Sequence, residues 1–431
     1  MSKKSHSAQR GSARSQRPER NQVEMQLLSI DQWLDENHRV RWVWQYVETL
    51  DLSDLYDKIR AVQGHAGRSP VDPRILFCLW LYATIDGVTS ARRLEKLTKE
   101  HIAYLWICGG VSVNYHLLAD FRTAHGEFLH QLLTNSIAVL VQQELVTLET
   151  IGQDGMRVRA NAGSSSFHRE KTLNQALKEA QRHVQSLSDQ DDSDPASDQK
   201  RSVAAKKRAA VDRADRISEA LKNLDELQAS RQKKKRDDEN ARASTTDPEA
   251  RKTKMGDGGF RPAFNVQFAT DGQTRLIVGV EVNNRTSDAS LMKPMRDRLV
   301  SDYGVKPREY LVDGPYATID DVTALETDGT RVYAPVPHEQ KLLEKGEDPY
   351  RRRKRDTDAM AGFRHRMSTA EGKAKYKQRP SIAEFPNADC RNRNLKQFSV
   401  RGIVKATSQV LWHVLAFNLM RFRNLGFLPT H

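Results

Sequence analysis

Cysteine is scarce in this 431-residue chain: Cys78, Cys108 and Cys390 are the whole complement, and no two form a CxxC pair. That excludes a disulfide framework and a zinc knuckle and fits a reducing cytosol. Long apolar runs are missing too. No stretch of about eighteen apolar residues occurs, and the basic, Ser-rich opening from Met1 to Arg20 leads into no signal-type apolar segment. The expectation is a soluble protein that is not exported, cytoplasmic, associated with the nucleoid if it holds DNA, and without a membrane partner. Acid is in short supply against base, 56 Asp+Glu facing 69 Lys+Arg for a net charge of +13. Such a surface attracts polyanions, of which nucleic acid is the commonest, or is simply charge-rich and solvated with no partner.

The length suits two or three packed units. Residues 1–25 read as a disordered basic arm. From Asp31 to Leu145 the apolar spacing is helical, with Trp33, Val40, Trp42, Val43, Tyr46 and Leu50 clustered ahead of a polar break at 63–69. Pro70 and Pro73 open the next helix. Its stretch from Ile75 to Ile85 is apolar almost all round, which predicts a place at the centre of a bundle. Shorter helices follow over 91–97, 101–107, 114–121 and 127–143. Flanked by Arg92, Arg93, Lys96 and Arg122, they suit a helix-turn-helix-like DNA reader or an all-α structural domain; we take 26–146 as a helical N-terminal DNA-binding domain.

At Val146 the texture changes. Residues 147–154 have a strand pattern, Gly155 reads as a turn, and 156–161 as a second, basic strand with alternating Arg157 and Arg159. Residues 170–242 are charged, poor in aromatics and helix-prone. Leu177, Ala180, Val184 and Leu187, then Ile217, Leu221 and Leu224, make two heptad seams on either side of an Asp- and Ser-rich break at 188–198. Two such seams predict an antiparallel helical hairpin, which can lie on DNA or act as a dimerisation or spacer element.

Strands resume at 261–269 and 276–282 around the turn Asp271-Gly272, followed by a helix over 290–303. The apolar run Tyr310-Leu311-Val312 ends on Asp313-Gly314; a helix over 317–325 and a strand over 331–336 come next. A basic loop holding Arg351 to Arg355 precedes helix near Met367, and an amphipathic helix over 403–422 closes the chain. This order is that of an RNase H-like core with something inserted early. The fold class is therefore α+β: a mixed-sheet catalytic core over 147–168 and 256–431, interrupted by a helical hairpin insertion over 169–255 and preceded by the all-α domain.

Phosphodiester chemistry in such a core needs oxygen ligands for two divalent ions. Asp154 in the first strand pattern, Asp313 at the end of the buried strand, and Glu384 on the helix after the last strand are the candidates. A carboxylate at the end of an apolar strand is costly to desolvate unless a cation meets it, although most Asp-Gly pairs taken singly are turns. Around the glutamate, Tyr376, Arg379 and Arg391 can clamp phosphates or form a solvated, salt-bridged helix face. Pro380 and Pro386 predict breaks in that helix.

At these residues the sequence resembles bacterial insertion-sequence transposases of the DDE type that have an InsH-like (DUF772-type) helical N-terminal domain, over about Ile30 to Leu425. The phrases that carry it are the segment from Asp154 to Asn161, that from Lys254 to Gln267, Tyr310-Leu-Val-Asp-Gly314, and that from Tyr376 to Glu384. The resemblance implies that Asp154, Asp313 and Glu384 are an acidic triad binding two Mg²⁺ or Mn²⁺ ions for strand cleavage and transfer. Tyr376, Arg379 and Arg391, with arginine in place of the usual lysine, look like the family's signature, and Arg157 and Arg159 join them as candidate DNA contacts. The implied partners are double-stranded DNA, as terminal inverted repeats and target, and a second copy in a homodimeric synaptic complex. Two departures stand out: the gap from Arg379 to Glu384 is one residue wider than the related pattern, and Pro315 follows Asp313-Gly314 where a small residue is usual. Alternatives from the same residues are an inactive DNA-binding remnant, an RNase H-like nuclease without end joining, and a non-catalytic helical scaffold.

Overall fold

The computed structural model describes residues 21, 27–59, 69–189, 197–233 and 240–427. The basic arm assigned to 1–25, Asn21 apart, and the polar breaks at 63–68 and 190–196 lie outside the described residues.

The helical N-terminal region comprises α1 (Arg39–Thr49), α2 (Ser53–Tyr56), α3 (Pro73–Ile85), α4 (Ala91–Glu100), α5 (Ile102–Cys108), α6 (Tyr115–Ala124) and α7 (Gly126–Gln142). Local sequence explains the starts. Asp72 accepts from the Arg74 N–H and Pro73 takes the first turn of α3, while Ser90 and Asn114 cap α4 and α6. Every residue from Ile75 to Ile85 is buried, as the unbroken apolar run predicts. The expected cationic flank is not uniform. Arg92, Arg93 and Lys96 are exposed, but Arg122 is a core cation that donates to the Thr89 carbonyl and lies 4.7 Å from the centre of the Trp80 ring.

β1 (Thr150–Arg159) is one unbroken strand, which corrects the expected hairpin turning at Gly155. A Cβ on Gly155 would collide with the Gln267 side-chain amide and come within 3.0 Å of Asn265 and Asp288. The glycine is there because side chains from a neighbouring strand cross over it.

The insertion begins and ends in a two-stranded clasp, β2 (Phe167–His168) antiparallel to β3 (Ala243–Ser244). Between them α8 (Glu170–Asp189) and α9 (Ser197–Lys233) bury Leu173, Leu177 and Ala180 against Ile217, Ala220 and Leu224. Gln228, late in α9, donates to Glu170 at the start of α8 (3.2 Å), so the arms run antiparallel.

β4 (Arg251–Lys254), β5 (Phe260–Asp271), β6 (Ile277–Asn283), β7 (Glu309–Leu311) and β8 (Arg331–Tyr333) complete the main sheet, in the order β4-β5-β1-β7-β8 with β6 also on β5. β5 is antiparallel to β1, β4 and β6, whereas β1–β7 and β7–β8 are parallel. α10 (Met292–Tyr303) packs on β6 and α11 (Ile319–Thr327) on β8. This is the mixed sheet of an RNase H-like core.

After the sheet come α12 (Glu339–Glu344), α13 (Asp358–Ser368), α14 (Ala370–Tyr376), α15 (Phe385–Asn392) and α16 (Ile403–Asn424). α12 has no counterpart in the sequence reading, and α13 starts nine residues before Met367. α16 is not amphipathic: every residue from Ser408 to Leu419 is buried. It packs on α3, α6 and α7 and also on β6, so both of its faces are covered. Asn418 substitutes for a strand partner, donating to the Ile277 carbonyl (2.8 Å) and accepting from its N–H (2.9 Å). One continuous apolar core therefore runs from Val43 in α1 through the sheet to Phe422 in α16.

Candidate active site

The parallel pairing of β1 with β7 places Gly152 opposite Leu311. Two residues further on come Asp154, within β1, and Asp313, just past the end of β7. Asp154 continues the face of Gly152, because side chains alternate with period two, and Asp313, in extended backbone just beyond the paired register, lies close enough for its charge to act on Asp154. Asp313 leads into a short 3-10 turn, Gly314–Tyr316, whose first positions accept Pro315 because a first-turn residue needs no amide donor. The Tyr316 hydroxyl donates to the buried Gln267 Oε1, which ties this turn to β5. Gln267 accepts a second bond from Gln153 (2.9 Å), whose own carbonyl oxygen accepts from Tyr310 (2.9 Å). This buried network under the acids holds β1, β5 and β7 in mutual register.

Glu384 ends a π-helical segment, Pro380–Glu384, between α14 and α15. Pro380 and Pro386 sit in the first turns of successive segments, so the expected breaks are realised as changes of helix type. A π-turn repeats at i→i+5, and the wide spacing from Arg379 to Glu384 is five. The extra residue is thereby absorbed, and Arg379 Nη1 donates to Glu384 Oε1 at 2.9 Å. The segment lies directly on β1: a Cβ on Gly152 would be 2.7 Å from Ile382 Cγ2 and 3.2 Å from Ala383 Cβ.

Arg379 joins the acids. It is 6% exposed, and its other terminal nitrogen donates to Asp154 Oδ1 at 3.1 Å. Asn387 Nδ2 donates to Asp154 Oδ2 at 2.8 Å. Burial pushes the Asp154 carboxyl up to about 6; Arg379 opposes that shift, while the charges of Asp313 and Glu384 add to it. Burial likewise works against the Arg379 charge, but Asp154, Asp313 and Glu384 outweigh it and hold the guanidinium above its ordinary pKa. Tyr376 stands in the same field, its phenol raised by burial and facing Arg379, Asp313 and Glu384.

The remaining expected contacts lie on the other side of Asp154. Arg157, Arg159 and Arg391 share a hollow of about 660 Å³ with Lys254, Arg261 and Lys396, beginning at Gly155. Arg157 forks onto both oxygens of Asp288 at 3.1 Å, whereas Arg159 and Arg391 are exposed. Sequence reasoning missed Asn387 and the Gln153–Gln267 network. Asn387 carries a usable signal, since it follows Glu384 by three and shares its helical face.

Among the described residues no group of three or more His, Cys, Asp or Glu side chains stands close enough to hold a metal ion; the Arg379 guanidinium lies between Asp154 and Glu384. The donor chemistry nonetheless fits a hard divalent cation, since two carboxylates close on one positive group and the charge of a third, Asp313, favours it.

Residues 28–124 match the family model described as a transposase domain (DUF772), and residues 227–419 that described as a transposase DDE domain. Asp313 and Glu384 fall inside the second match, while Asp154 lies between the two. No curated protein and no solved structure matches the chain. No helix among the described residues is long and apolar enough to cross a membrane.

Proposed function

This chain belongs to the DDE transposases, with a DUF772 transposase domain ahead of its DDE domain, and from that premise we propose that it cuts DNA at the inverted terminal repeats of its own element and joins the freed 3′ ends to target DNA. The observation that carries the reading is the pairing of Asp154 and Glu384, from remote segments, with one buried cation, Arg379, on which the charge of Asp313 also acts. Two divalent ions, Mg²⁺ or Mn²⁺, held by these carboxylates would activate the attacking oxygen and stabilise the leaving one.

Within that reading Asp154 is held by its strand, Asp313 by the turn that follows β7 and Glu384 by the π-turn. Arg379, which forks onto phosphate as readily as onto carboxylate, hands the acids over and clamps the strand end together with Tyr376. Arg157, Arg159 and Arg391 take backbone phosphates along the hollow, a contact that positions DNA without reading its sequence. The helical region 26–146 supplies further DNA contacts and 147–168 with 256–431 the chemistry, while the insertion assigned to 169–255 returns to that core through β4 (Arg251–Lys254), which joins the main sheet. Because two element ends are joined in one event, the working form is a homodimer on DNA. No side chain acts as a covalent nucleophile.

The test is incubation of purified protein with Mg²⁺ or Mn²⁺ and a labelled duplex bearing the element's ends, comparing wild type with Asp313→Ala and Glu384→Ala. The expected result is metal-dependent nicking at those ends that falls by roughly a hundredfold or more in both variants while DNA binding persists. Binding without cleavage by the wild type identifies an inactive copy, cleavage of any duplex a nuclease without end joining, and neither binding nor cleavage a scaffold.

A further inference from the structure

The hairpin of β4 and β5 forms a wall between two basic hollows. Its tip is tight: the Met255 N–H donates to the Gly259 carbonyl at 2.8 Å and the Gly258 N–H to the Met255 carbonyl at 2.9 Å. Just beyond the tip, paired across from Lys254, stands Phe260, which is 68% exposed. The first hollow is the one that starts beside Asp154. The second, about 630 Å³, is on the side of the helical insertion, a volume within the range of roughly 300–1,000 Å³ that small ligands occupy. Among the described residues lining it are the rings of Phe167 and Phe260 and the cations Arg231, Arg242, Lys252 and Lys254, and none of the described lining residues is a carboxylate. Lys252 Nζ lies 5.2 Å from the centre of the Phe167 ring. Lys254 lines both hollows, so the cationic lining continues across the hairpin.

Resting on the reading above that the chain works on DNA, we propose that the second hollow takes an unpaired nucleotide of the bound strand, its base stacked on Phe260 and its flanking phosphates on Arg242, Lys252 and Lys254. Two observations meet here. A cluster of cations, with no carboxylate among the described lining residues, complements a phosphate backbone, and a phenyl ring held out in water at the tip of a hydrogen-bonded hairpin offers a flat apolar face beside them. Inside a duplex the face of each base is covered by its neighbours. Only a base that is single-stranded, terminal or extruded can lie on a side-chain ring. Such stacking is indifferent to which base is present, which suits a site formed by one aromatic ring and several cations with no dedicated hydrogen-bonding frame.

The experiment is fluorescence anisotropy with the full chain and no added metal, on a blunt duplex and on the same duplex extended by a single-stranded 3′ overhang. Phe260 is largely exposed, so its replacement spares the core; melting of each variant checks this. Phe260→Ala is expected to weaken binding of the overhang substrate on the order of tenfold and to leave the blunt duplex within about twofold. Phe260→Tyr is expected to restore the difference, and Lys252→Ala to reduce the salt dependence of overhang binding. Equal losses on the two substrates, or none on the overhang, while the wild type binds both would overturn the stacking site and leave the DNA reading standing. Failure of the wild type to bind either substrate overturns both.

Discussion

A guanidinium that is 6% exposed is held by its charges, since removing one partner from a buried ion pair leaves the other uncompensated. In Arg379→Ala the acids at 154, 313 and 384 lose the cation that now balances them. For the largely buried pair with Asp154 that attraction is worth about a few kcal/mol at a protein-like dielectric of about 20, and less for Glu384 and Asp313, which water screens. Mn²⁺ affinity measured calorimetrically without DNA is therefore expected to rise on the order of tenfold, with thermal stability falling until metal is added. An unchanged affinity would separate Arg379 from the metal-binding carboxylates. Much of this constellation was legible at the residue level. Asp313 closes an apolar strand, and Glu384 lies among cations. What the sequence does not show is that Arg379 bridges Asp154 and Glu384, because that pairing depends on a register set between segments more than two hundred residues apart.

At the scale of elements, the π-turn lies on β1 through a glycine. Gly152→Val places a branched side chain where a single Cβ is already 2.7 Å from Ile382, and overpacking of this kind costs about 1–3 kcal/mol. The Glu384 segment is expected to lift from the strand. Cleavage of element ends should then drop on the order of a hundredfold, as displacements of about 1 Å do, while DNA binding is kept; cleavage at the wild-type rate would show that the segment's seating does not matter. The same strand shows where reading by pattern stops. Gly155 has the local signature of a turn, yet its neighbours Gln267, Asn265 and Asp288 come from more than a hundred residues away. α16 has a hydrophobic period that suggests one wet face, but the N-terminal helices cover one side and β6 the other. The hairpin seams and the buried α3 follow from local apolar spacing and were readable; β4, which sits at the end of the charged insertion, and the unbroken β1 were not. Glycine's tertiary reasons and a helix with two covered faces were not.

At the scale of the whole molecule, α16 makes the N-terminal helices and the sheet share one core, and His413 lies at that junction. Burial, reinforced by the nearby charges of Arg393 and Arg122, lowers its pKa from 6.5 to about 3. Arg393 also donates to the Ile85 carbonyl at the end of α3 (2.9 Å). The folded state prefers the neutral imidazole, so its contribution is complete above pH 6.5 and is lost as pH falls toward 3, at up to about 1.4 kcal/mol per unit. Between pH 7 and 4.5 the wild type is expected to lose some 2–3 kcal/mol more than His413→Gln, read as the difference between the two urea-denaturation series. Parallel curves would show that the folded imidazole takes up its proton at the ordinary pKa, as the unfolded one does.

The clasp of β2 and β3 has a consequence for descent. Since the chain leaves and re-enters the body through two paired dipeptides, with the Thr245 N–H donating to the Ser166 carbonyl at 3.0 Å, the ends of the insertion stay joined however long the arms between them are. Loop-closure entropy grows only slowly with length, so whole heptads can be gained or lost in α8 and α9 without shifting β1 against β5. Lineages carrying this protein are free to experiment with the reach of the arms while inheriting the acid-bearing strands intact.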